Sequence, residues 1–531
     1  MRTALMVVTL AWMMPVAAFA QDIPGVSLHW AALQGHMDQV QAHIRAGSDL
    51  NARDAYGSTP LTLAVLFGRR NVVHALLQAG ADLTIGDAED STPLHLAALL
   101  GRPAMVRLLL EHGADVHARN RSGSTPADLV LPSMGYDLPV YEQMVTGLGP
   151  LGWELDTATI RKVRPEIARM LRPSPDALAT TNYTPLPDAP WPVSTPEQEG
   201  LNPSLVAELF FDAAHMTTPY ALLILKNGKL VAEGYFNAGA VDHKNRLASV
   251  TKSVTSALVG LALEDGCLDD LDRPMVEYFP EVQDGITDVR KYEITVRHLL
   301  QMRGGFPWVE TDTAYWQALL TGYYPHLIAN LPLVNDPGEG FNYSNLSSNW
   351  LGILLTRTCG TDLLTFAQDR LFAPLGIQAG DWGQDAEGHY NGCGNLHLSA
   401  RDLAKFGLLY LRNGQYHGVQ VLPAGWTKAS LQQYSDDAWV AVPPQNHVGR
   451  YFRELGYGYQ WWSARIGDRR YNFAWGHGGQ LIVLADHLDM VIVLISKPYF
   501  LEHNQEAWSH EQGNINLIGK FVFLLDQATG Q

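Results

Sequence analysis

The sequence predicts a multidomain protein in which an all-α repeat solenoid precedes an α+β domain. Three observations predict this: a motif that recurs every 33 residues near the start, a proline-rich stretch after it, and strand-like segments at both ends of the remaining region with helical patterns between them. A chain of 531 residues is also long enough for two or three domains.

The first segment, residues 1–20, has the pattern of a secretory signal peptide. Arg2 precedes a short apolar run, and Ala18-Phe19-Ala20 forms a small-x-small cleavage pattern before Gln21. The alternative is a membrane anchor, but the run is short for a span and a proline interrupts it. We therefore expect an exported protein, in a bacterial periplasm or secreted, with no membrane span after signal cleavage.

The repeat is visible in GSTPLTLAVLFGRRNVVHALLQAGADL, which starts at Gly57, and DSTPLHLAALLGRPAMVRLLLEHGADV, which starts at Asp90. An earlier, truncated copy opens at Ser27, and a partial fourth copy starts at Asn120. This pattern resembles ankyrin repeats. The resemblance implies an ankyrin-repeat domain over residues 21–172 that ends in a helical cap and binds a protein partner. A passive spacer, or a module packed on the second domain, remains the alternative.

Residues 173–195 are rich in proline and predict a semi-extended linker. The second domain then covers residues 196–531. ALLILKNGKLVAEGYF predicts two strands joined by a type I′ turn at Asn227-Gly228. Near the other end, four further strand-like runs precede a helical tail from Glu506 to Leu525; the runs are YGYQWW, YNFAWG, LIVLAD and MVIVLIS. We expect one antiparallel sheet built from both ends of the domain, with a helical region inserted between them.

Charge and cysteine content exclude several classes of function. The net charge of −17, from 37 basic and 54 acidic residues, argues against nucleic-acid binding. The three cysteines allow one disulfide at most and form no CxxC pair. His389, Cys393 and His397 are spaced by four, but intervening glycines make a helical metal site improbable. We predict no metal and no cofactor.

The helix RLASVTKSVTSALVGLALEDG places Ser249 and Lys252 at positions i and i+3, on one helix face. Ser249 lies at the helix N-terminus, where unpaired N–H groups can stabilise an oxyanion. Burial and the positive helix end favour a neutral lysine, which can accept the proton of the serine hydroxyl. Ser249 and Lys252 are therefore a candidate nucleophile and base.

Two further motifs supply candidate partners. Tyr343-Ser344-Asn345 lies in a Gly/Pro-rich loop before an apolar helix, so that the phenol can share a proton with Lys252 and the amide of Asn345 can bind the lysine or a substrate. His477-Gly478-Gly479 opens a strand. Paired glycines can allow a substrate close to the backbone, and the N–H of Gln480 can serve as a second oxyanion donor.

In this order, SxxK, YxN and HxG resemble the motifs of the serine β-lactamase and penicillin-binding-protein superfamily. The resemblance is strongest to its class C-like branch of esterases, D-aminopeptidases and 6-aminohexanoate-dimer hydrolases. It implies that Ser249 forms an acyl-enzyme, that Lys252 and Tyr343 act as general base and then general acid, and that Asn345 orients them or the substrate. His477, with Gly479 and Gln480 beside it, occupies the position where β-lactamases usually carry lysine, which favours esterases and amidases.

The sequence therefore predicts an exported serine hydrolase that cleaves a small ester or amide, with ankyrin repeats that bind a protein. Two alternatives stay open. One is a β-lactamase or D-amino-acid peptidase of the same fold. The other is a catalytically silent binding or scaffold protein.

Overall fold

The computed structural model describes residues 26–131, 137–151, 155–309, 312, 325–436, 438–439, 446–499 and 504–529. The predicted signal peptide, residues 1–20, lies outside this set. The chain divides into two compact units between Ser174 and Pro175. Within the described ranges, no helix combines the length and the apolar character needed to span a membrane.

The first unit is helical, as predicted. Its helices are α1 (Leu28–Gln34), α2 (Met37–Arg45), α3 (Pro60–Leu66), α4 (Arg70–Gln78), α5 (Pro93–Leu99), α6 (Pro103–Glu111), α7 (Leu138–Leu148) and α8 (Thr157–Met170). The first six form the helix pairs of three repeats. Thr59 caps α3 with its hydroxyl, and Pro60 occupies the first helical position, where a missing N–H costs nothing. The Thr-Pro dipeptide of the repeat therefore marks a helix start.

One apolar core runs through the stacked repeats and continues into α8. Buried side chains of successive repeats, such as Leu61 and Leu94, share this core with Ile167 and Leu171 at the end of the unit. No single helix pair can bury both of its faces, so each repeat depends on its neighbours and α8 covers the last one.

Helix α7 covers a different face, the one formed by the ends of the first helices of the repeats. Leu33, Phe67 and Leu100 lie one or two residues before glycines at equivalent positions of the three repeats, and all three pack in one cluster with Leu148 of α7. The hydroxyl of Tyr141, also in α7, donates a 2.6 Å hydrogen bond to Leu99 O. This apolar face of the repeats is therefore covered by the same unit.

The second unit contains one large antiparallel sheet with helices on both faces. Its helices are α9 (Pro175–Ala179), α10 (Pro203–Ala214), α11 (Val250–Glu264), α12 (Val296–Leu300), α13 (Pro325–Asn330), α14 (Asn345–Cys359), α15 (Leu363–Ala367), α16 (Ala400–Leu411), α17 (Ala424–Leu431) and α18 (Gln505–Thr529). Its strands are β1 (Pro219–Lys226), β2 (Lys229–Tyr235), β3 (Asn245–Arg246), β4 (His397–Leu398), β5 (Gln415–Tyr416), β6 (Val419–Gln420), β7 (His447–Val448), β8 (Phe452–Tyr457), β9 (Trp462–Ile466), β10 (Arg469–Gly476), β11 (Gln480–Ala485) and β12 (Met490–Ser496).

The eight-stranded sheet has the order β2-β1-β12-β11-β10-β9-β8-β7. The first hairpin thus pairs with the last strand, which confirms the prediction of one sheet built from both ends of the domain. The β1–β2 turn is type I′, because Asn227 and Gly228 both have positive φ, 53° and 74°. The prediction of a strand over YGYQWW is wrong, since Tyr457 ends β8 and Trp462 begins β9, so this stretch turns between the two.

The sheet separates two apolar cores because side chains alternate along each strand. Leu223 and Val493 face the inserted helices, including α11, α14 and α16. Leu222 and Ile492 face α10 and α18, the first and last long helices of the unit. The inserted helices therefore pack on one face of the sheet, and the terminal helices pack on the other.

The segment predicted as a linker is held against the edge strand β2. Leu230 N donates to Pro192 O at 2.9 Å, and Ser194 N donates to Leu230 O at 3.1 Å. The buried carboxylate of Glu233 accepts the N–H of Leu186 and an ion pair from Arg401. These bonds cover an edge that would otherwise present unpaired backbone groups.

Candidate active site

Ser249 lies at the N-terminus of α11, which is buried along almost its whole length. The preceding residue, Ala248, has a φ of +47°, a left-handed conformation that costs a non-glycine residue about 1–2 kcal/mol. Within the described part of the chain, the backbone N–H of Ser249 donates to no protein acceptor. A helix N-terminus with an unpaired N–H is a suitable donor for an oxyanion.

Lys252 is only 1% exposed, and its ammonium group contacts three oxygen atoms. Nζ lies 2.9 Å from Ser249 Oγ, 2.5 Å from Asn345 Oδ1 and 2.9 Å from Cys393 O. A charged lysine has three N–H donors, so it can donate to each of these oxygens. All three are neutral oxygens, and this arrangement holds the amine beside the serine hydroxyl without a carboxylate at these positions.

The YxN motif also contacts Lys252, through Asn345 and Tyr343. Asn345 is the first residue of α14 and is 1% exposed. The ring centroid of Tyr343 lies 5.0 Å from Lys252 Nζ. The Tyr343 ring also stacks on Trp462, with centroids 5.3 Å apart and planes 28° from parallel. The structure therefore brings Ser249, Lys252, Tyr343 and Asn345 together; their roles in catalysis stay predictions.

The HxG motif forms the turn between β10 and β11, in which Gly476 pairs with Gln480. A Cβ built on Gly476 would lie 2.3 Å from Leu247 O and 3.1 Å from Ser249 N. The strand that leads into the turn is thus in close backbone contact with the segment that carries the candidate nucleophile. His477, Gly479 and Gln480 follow directly on this side of the site.

The paired glycines of the motif lie close to other parts of the protein. Gly478 and Gly479 have φ values of +94° and +85°, which favour glycine. A Cβ on Gly478 would lie 2.6 Å from Lys497 O, and one on Gly479 would lie 2.6 Å from Asn514 Cβ. The two glycines therefore permit a tight fit against the protein itself, and their role toward a substrate stays a prediction.

Gln480 is fully buried at the start of β11. Its side-chain amide exchanges two hydrogen bonds with the backbone of Ser496, at 2.8 and 3.0 Å. These bonds attach the end of the turn to β12. The proposed oxyanion donor is the backbone N–H of Gln480. The side chain of Gln480 holds this part of the backbone against β12.

Several residues of the site escaped the sequence analysis. The carbonyl of Cys393 binds Lys252, and Trp462 stacks on Tyr343. Glu511, in the terminal helix, binds His477. Cys393 was considered above only as a metal ligand with His389 and His397, and no local pattern separates Trp462 or Glu511 from ordinary core residues. Arg246, three residues before Ser249, adds a positive charge, because burial lowers its pKa only to about 10 and it stays protonated at neutral pH.

The described residues contain no group of three or more His, Cys, Asp or Glu side chains placed to hold a metal ion. The residues described above bring a hydroxyl, an amine, a phenol and an imidazole to this region. A hydroxyl beside a buried amine, at a helix N-terminus, is one arrangement that can support nucleophilic catalysis by serine.

This fold defines a member of the serine β-lactamase and penicillin-binding-protein superfamily. The chain belongs to the beta-lactamase family, whose family model matches residues 213–509. A second family model, for three copies of the ankyrin repeat, matches residues 28–120.

Similar proteins differ in their reactions. The chain is 28% identical, over 297 residues, to the 6-aminohexanoate-dimer hydrolase of Paenarthrobacter ureafaciens, a match that covers 52% of this chain and 72% of that protein. It is 32% identical, over 156 residues, to the monacolin J acid methylbutanoyltransferase of Aspergillus terreus, covering 26% of this chain and 37% of that protein. The solved structure of EstCE1, a hydrolase with promiscuous acyltransferase activity, is 15% identical with a TM-score of 0.46, covering 57% of this chain and 95% of that one.

Proposed function

We propose that the protein hydrolyses an ester or amide of a small molecule through an acyl-enzyme on Ser249. The observation that carries the proposal is the 2.9 Å contact between Lys252 Nζ and Ser249 Oγ in a buried setting. An amine at this distance can take the hydroxyl proton as Oγ attacks the carbonyl carbon. The names of the two curated relatives, a dimer hydrolase and an acyltransferase, support transfer of an acyl group.

In the proposed reaction, the proton of Ser249 passes to the Lys252–Tyr343 pair while the Oγ–C bond forms. The carbonyl oxygen becomes an oxyanion that accepts hydrogen bonds from the N–H groups of Ser249 and Gln480. The pair returns the proton to the leaving alcohol or amine as its bond to carbon breaks. Water then attacks the acyl carbon and gives a proton to the Lys252–Tyr343 pair. The bond between this carbon and Ser249 Oγ breaks, the pair returns the proton to Oγ, and the acid is released.

Labelling with a fluorophosphonate, which phosphonylates nucleophilic serines, tests this function before any substrate is known. Mass spectrometry of the purified protein should show one adduct on Ser249, and Ser249→Ala should abolish it while the circular dichroism spectrum stays that of the parent. A folded parent without an adduct would support the catalytically silent scaffold instead.

A substrate panel distinguishes the remaining enzyme alternatives. We expect turnover of p-nitrophenyl esters, because His477 lies where β-lactamases usually carry lysine and a neutral imidazole binds a substrate carboxylate less strongly. A chromogenic cephalosporin and D-amino-acid amides test the β-lactamase and D-peptidase alternatives. Faster turnover of either than of every ester would replace the ester or amide assignment.

We also propose export, which fits the disulfide between Cys267 and Cys359, since such bonds persist mainly in oxidising compartments. N-terminal sequencing of the protein from the periplasm or the medium should begin at Gln21. Protein that retains Met1 and stays with the cytosolic fraction would contradict export.

The ankyrin repeats are proposed to bind a protein partner. Helix α7 already covers the face formed by Leu33, Phe67 and Leu100. We therefore assign the partner to the loops and helix faces of the repeats that α7 leaves uncovered. Crosslinking of the intact protein in its native compartment should give adducts within residues 28–120; adducts confined to the second unit would contradict this role.

A further inference from the structure

Glu511 lies in the terminal helix α18, only 1% exposed, and its carboxylate receives three hydrogen bonds from the β10–β11 turn. Trp475 Nε1 donates to Oε1 at 2.8 Å. On the other oxygen, Oε2 lies 2.5 Å from His477 Nδ1 and accepts the backbone N–H of Gly478 at 2.9 Å. The three donors come from four consecutive residues, 475–478. One buried carboxylate therefore binds the end of β10 and the first two residues of the HxG motif.

We propose that Glu511 is a positioning residue for catalysis, which acts by orienting His477 and the turn that carries the Gln480 N–H. The proposal rests on the proposed function, because it assigns Glu511 to the same reaction. Glu511 does not contact Ser249 or Lys252 in any hydrogen bond of the described structure, so its effect must pass through the turn.

The contact with Nδ1 determines which ring nitrogen carries a hydrogen. A carboxylate oxygen accepts hydrogen bonds, so the proposal assigns the ring hydrogen that faces Glu511 to Nδ1 of His477. The two atoms lie 2.5 Å apart, within hydrogen-bond distance. Nε2 of His477 then lies on the ring edge away from Glu511. The buried contact between Nδ1 and Glu511 fixes the orientation of the ring.

A second side chain of α18 holds the same turn. Asn514 follows Glu511 by three residues and therefore lies on the same helix face. Its Nδ2 donates to Gly478 O at 2.8 Å, and Ser496 Oγ donates to the same oxygen at 2.5 Å. Both backbone groups of Gly478, its N–H and its carbonyl, are thus bound by buried side chains. The turn has little freedom to move while α18 is in place.

Glu511→Gln keeps the size of the side chain but removes the second acceptor oxygen. A glutamine has one carbonyl oxygen and one NH₂ group, so the NH₂ must face either the Trp475 donor or the His477 and Gly478 donors. We expect the second-order rate of fluorophosphonate labelling at Ser249 to fall by about 100-fold, the effect of a displacement near 1 Å at a reacting group. With a p-nitrophenyl ester, kcat should fall and KM should change little.

Glu208→Gln is the matched control. Glu208 of α10 is equally buried and also binds α18, through Lys520 Nζ at 2.7 Å, but it does not contact the turn. Loss of this carboxylate can lower thermal stability, yet the labelling rate should stay within twofold of the parent. An equal fall in both variants would show that α18 packing alone matters, and this would overturn the proposal.

A measurement on the parent protein tests the proposal even if Glu511→Gln does not fold. In protein with ¹⁵N-labelled histidine, the Nδ1–H of His477 should give a downfield proton signal that is absent from His477→Gln. A His477 ring protonated only at Nε2 would overturn the proposal. So would a folded Glu511→Gln that keeps this signal and labels at the parent rate.

These readouts separate the two proposals. If the parent protein shows the Nδ1–H signal but never labels at Ser249, the proposed function fails and the position of Glu511 stands. If the parent labels at Ser249 and either overturning result is obtained, the function stands and the role of Glu511 fails.

Discussion

Lys252 is the residue on which the proposed chemistry depends most directly. It is buried, and Ser249, Asn345 and Cys393 each provide one oxygen for its amine. Hydrogen bonds to these oxygens replace water that the buried amine has lost. The same contacts keep the amine next to the serine whether it carries two or three hydrogens.

Replacing Lys252 by methionine should remove the proton acceptor and leave a side chain of similar length. We expect fluorophosphonate labelling of Ser249 to slow by about 10²- to 10⁴-fold, the usual contribution of general base catalysis. The oxygens of Asn345 and Cys393 lose a donor, which should lower the free energy of unfolding by about 1–3 kcal/mol. A labelling rate within threefold of the parent, measured on folded protein, would contradict the role of the amine.

Gly476 allows the sheet to approach Ser249, the proposed nucleophile. In Gly476→Ala, the new Cβ would lie 2.3 Å from Leu247 O, a contact that backbone atoms must move to relieve. We expect a loss of about 1–3 kcal/mol in the free energy of unfolding, as for other overpacked sites, together with much slower labelling of Ser249.

Gly394→Ala is the control, because its Cβ would lie 3.7 Å from Ala248 O, an ordinary van der Waals distance in the same region. Denaturant unfolding and the labelling rate should both separate the two variants. Equal behaviour would show that the close approach at Gly476 has no consequence for the site.

At the scale of elements, the repeats are joined by a buried histidine. His95 in α5 lies between the N-terminus of its own helix and the next repeat: Nδ1 is 2.9 Å from Thr92 Oγ1 and Nε2 is 2.9 Å from Ser124 O. Ser124 O can only accept, so Nε2 carries the hydrogen and Nδ1 accepts. Burial lowers the pKa of His95 to about 4, because a charged ring would lose its hydration.

This shift predicts a loss of stability in acid. Between about pH 6.5 and pH 4 the unfolded chain binds a proton at His95 that the folded chain does not, so the free energy of unfolding falls as the pH falls. From pH 7 to pH 4.5 the loss should be about 2–3 kcal/mol. Asp87 opposes it, since burial raises its pKa to about 6 and the folded state then binds the extra proton.

The comparison of the parent with His95→Gln isolates the histidine from Asp87. Hydrogen-exchange mass spectrometry of peptides from α3 to α6, corrected for the intrinsic exchange rate, measures the protection of the repeats at pH 7 and at pH 4.5. The loss of protection between the two pH values should be smaller in His95→Gln than in the parent. The same loss in both proteins would mean that His95 does not control the acid sensitivity of the repeats.

At the scale of the molecule, a disulfide joins the far ends of the two helices that form the site. Helix α11 begins after Ser249 and α14 begins at Asn345; Cys267 follows the end of the first, and Cys359 ends the second. The bond therefore ties together two segments separated by 92 residues. Closing so long a loop lowers the entropy of the unfolded chain.

The double variant Cys267→Ser/Cys359→Ser should lose about 2–4 kcal/mol in the free energy of unfolding of the second unit. Denaturant titration with and without reductant measures this loss. Reductant should bring the parent to the stability of the double variant and should leave the variant unchanged. A parent that resists denaturant equally well with and without reductant, after the bond is shown to be reduced, would contradict the prediction.

The amino-acid sequence by itself determined most of the elements and pointed to the four residues that the structure brings together in the proposed site. Periodicity and turn chemistry are local, so the repeat helices, the Asn227-Gly228 hairpin and the Ser249–Lys252 spacing were all readable. Local patterns also misled, because aromatic residues over YGYQWW suit a turn packed in the core as well as a strand.

Only the tertiary structure decided which distant groups complete the site. The carbonyl of Cys393 lies 141 positions from the amine of Lys252, and Glu511 lies 34 positions from His477. A backbone carbonyl has no signature in a sequence, and a buried glutamate in a helix resembles an exposed one until its neighbours are known. These contacts arise when buried faces of separate elements pack together, so the physical information that specifies them is distributed over the whole second unit.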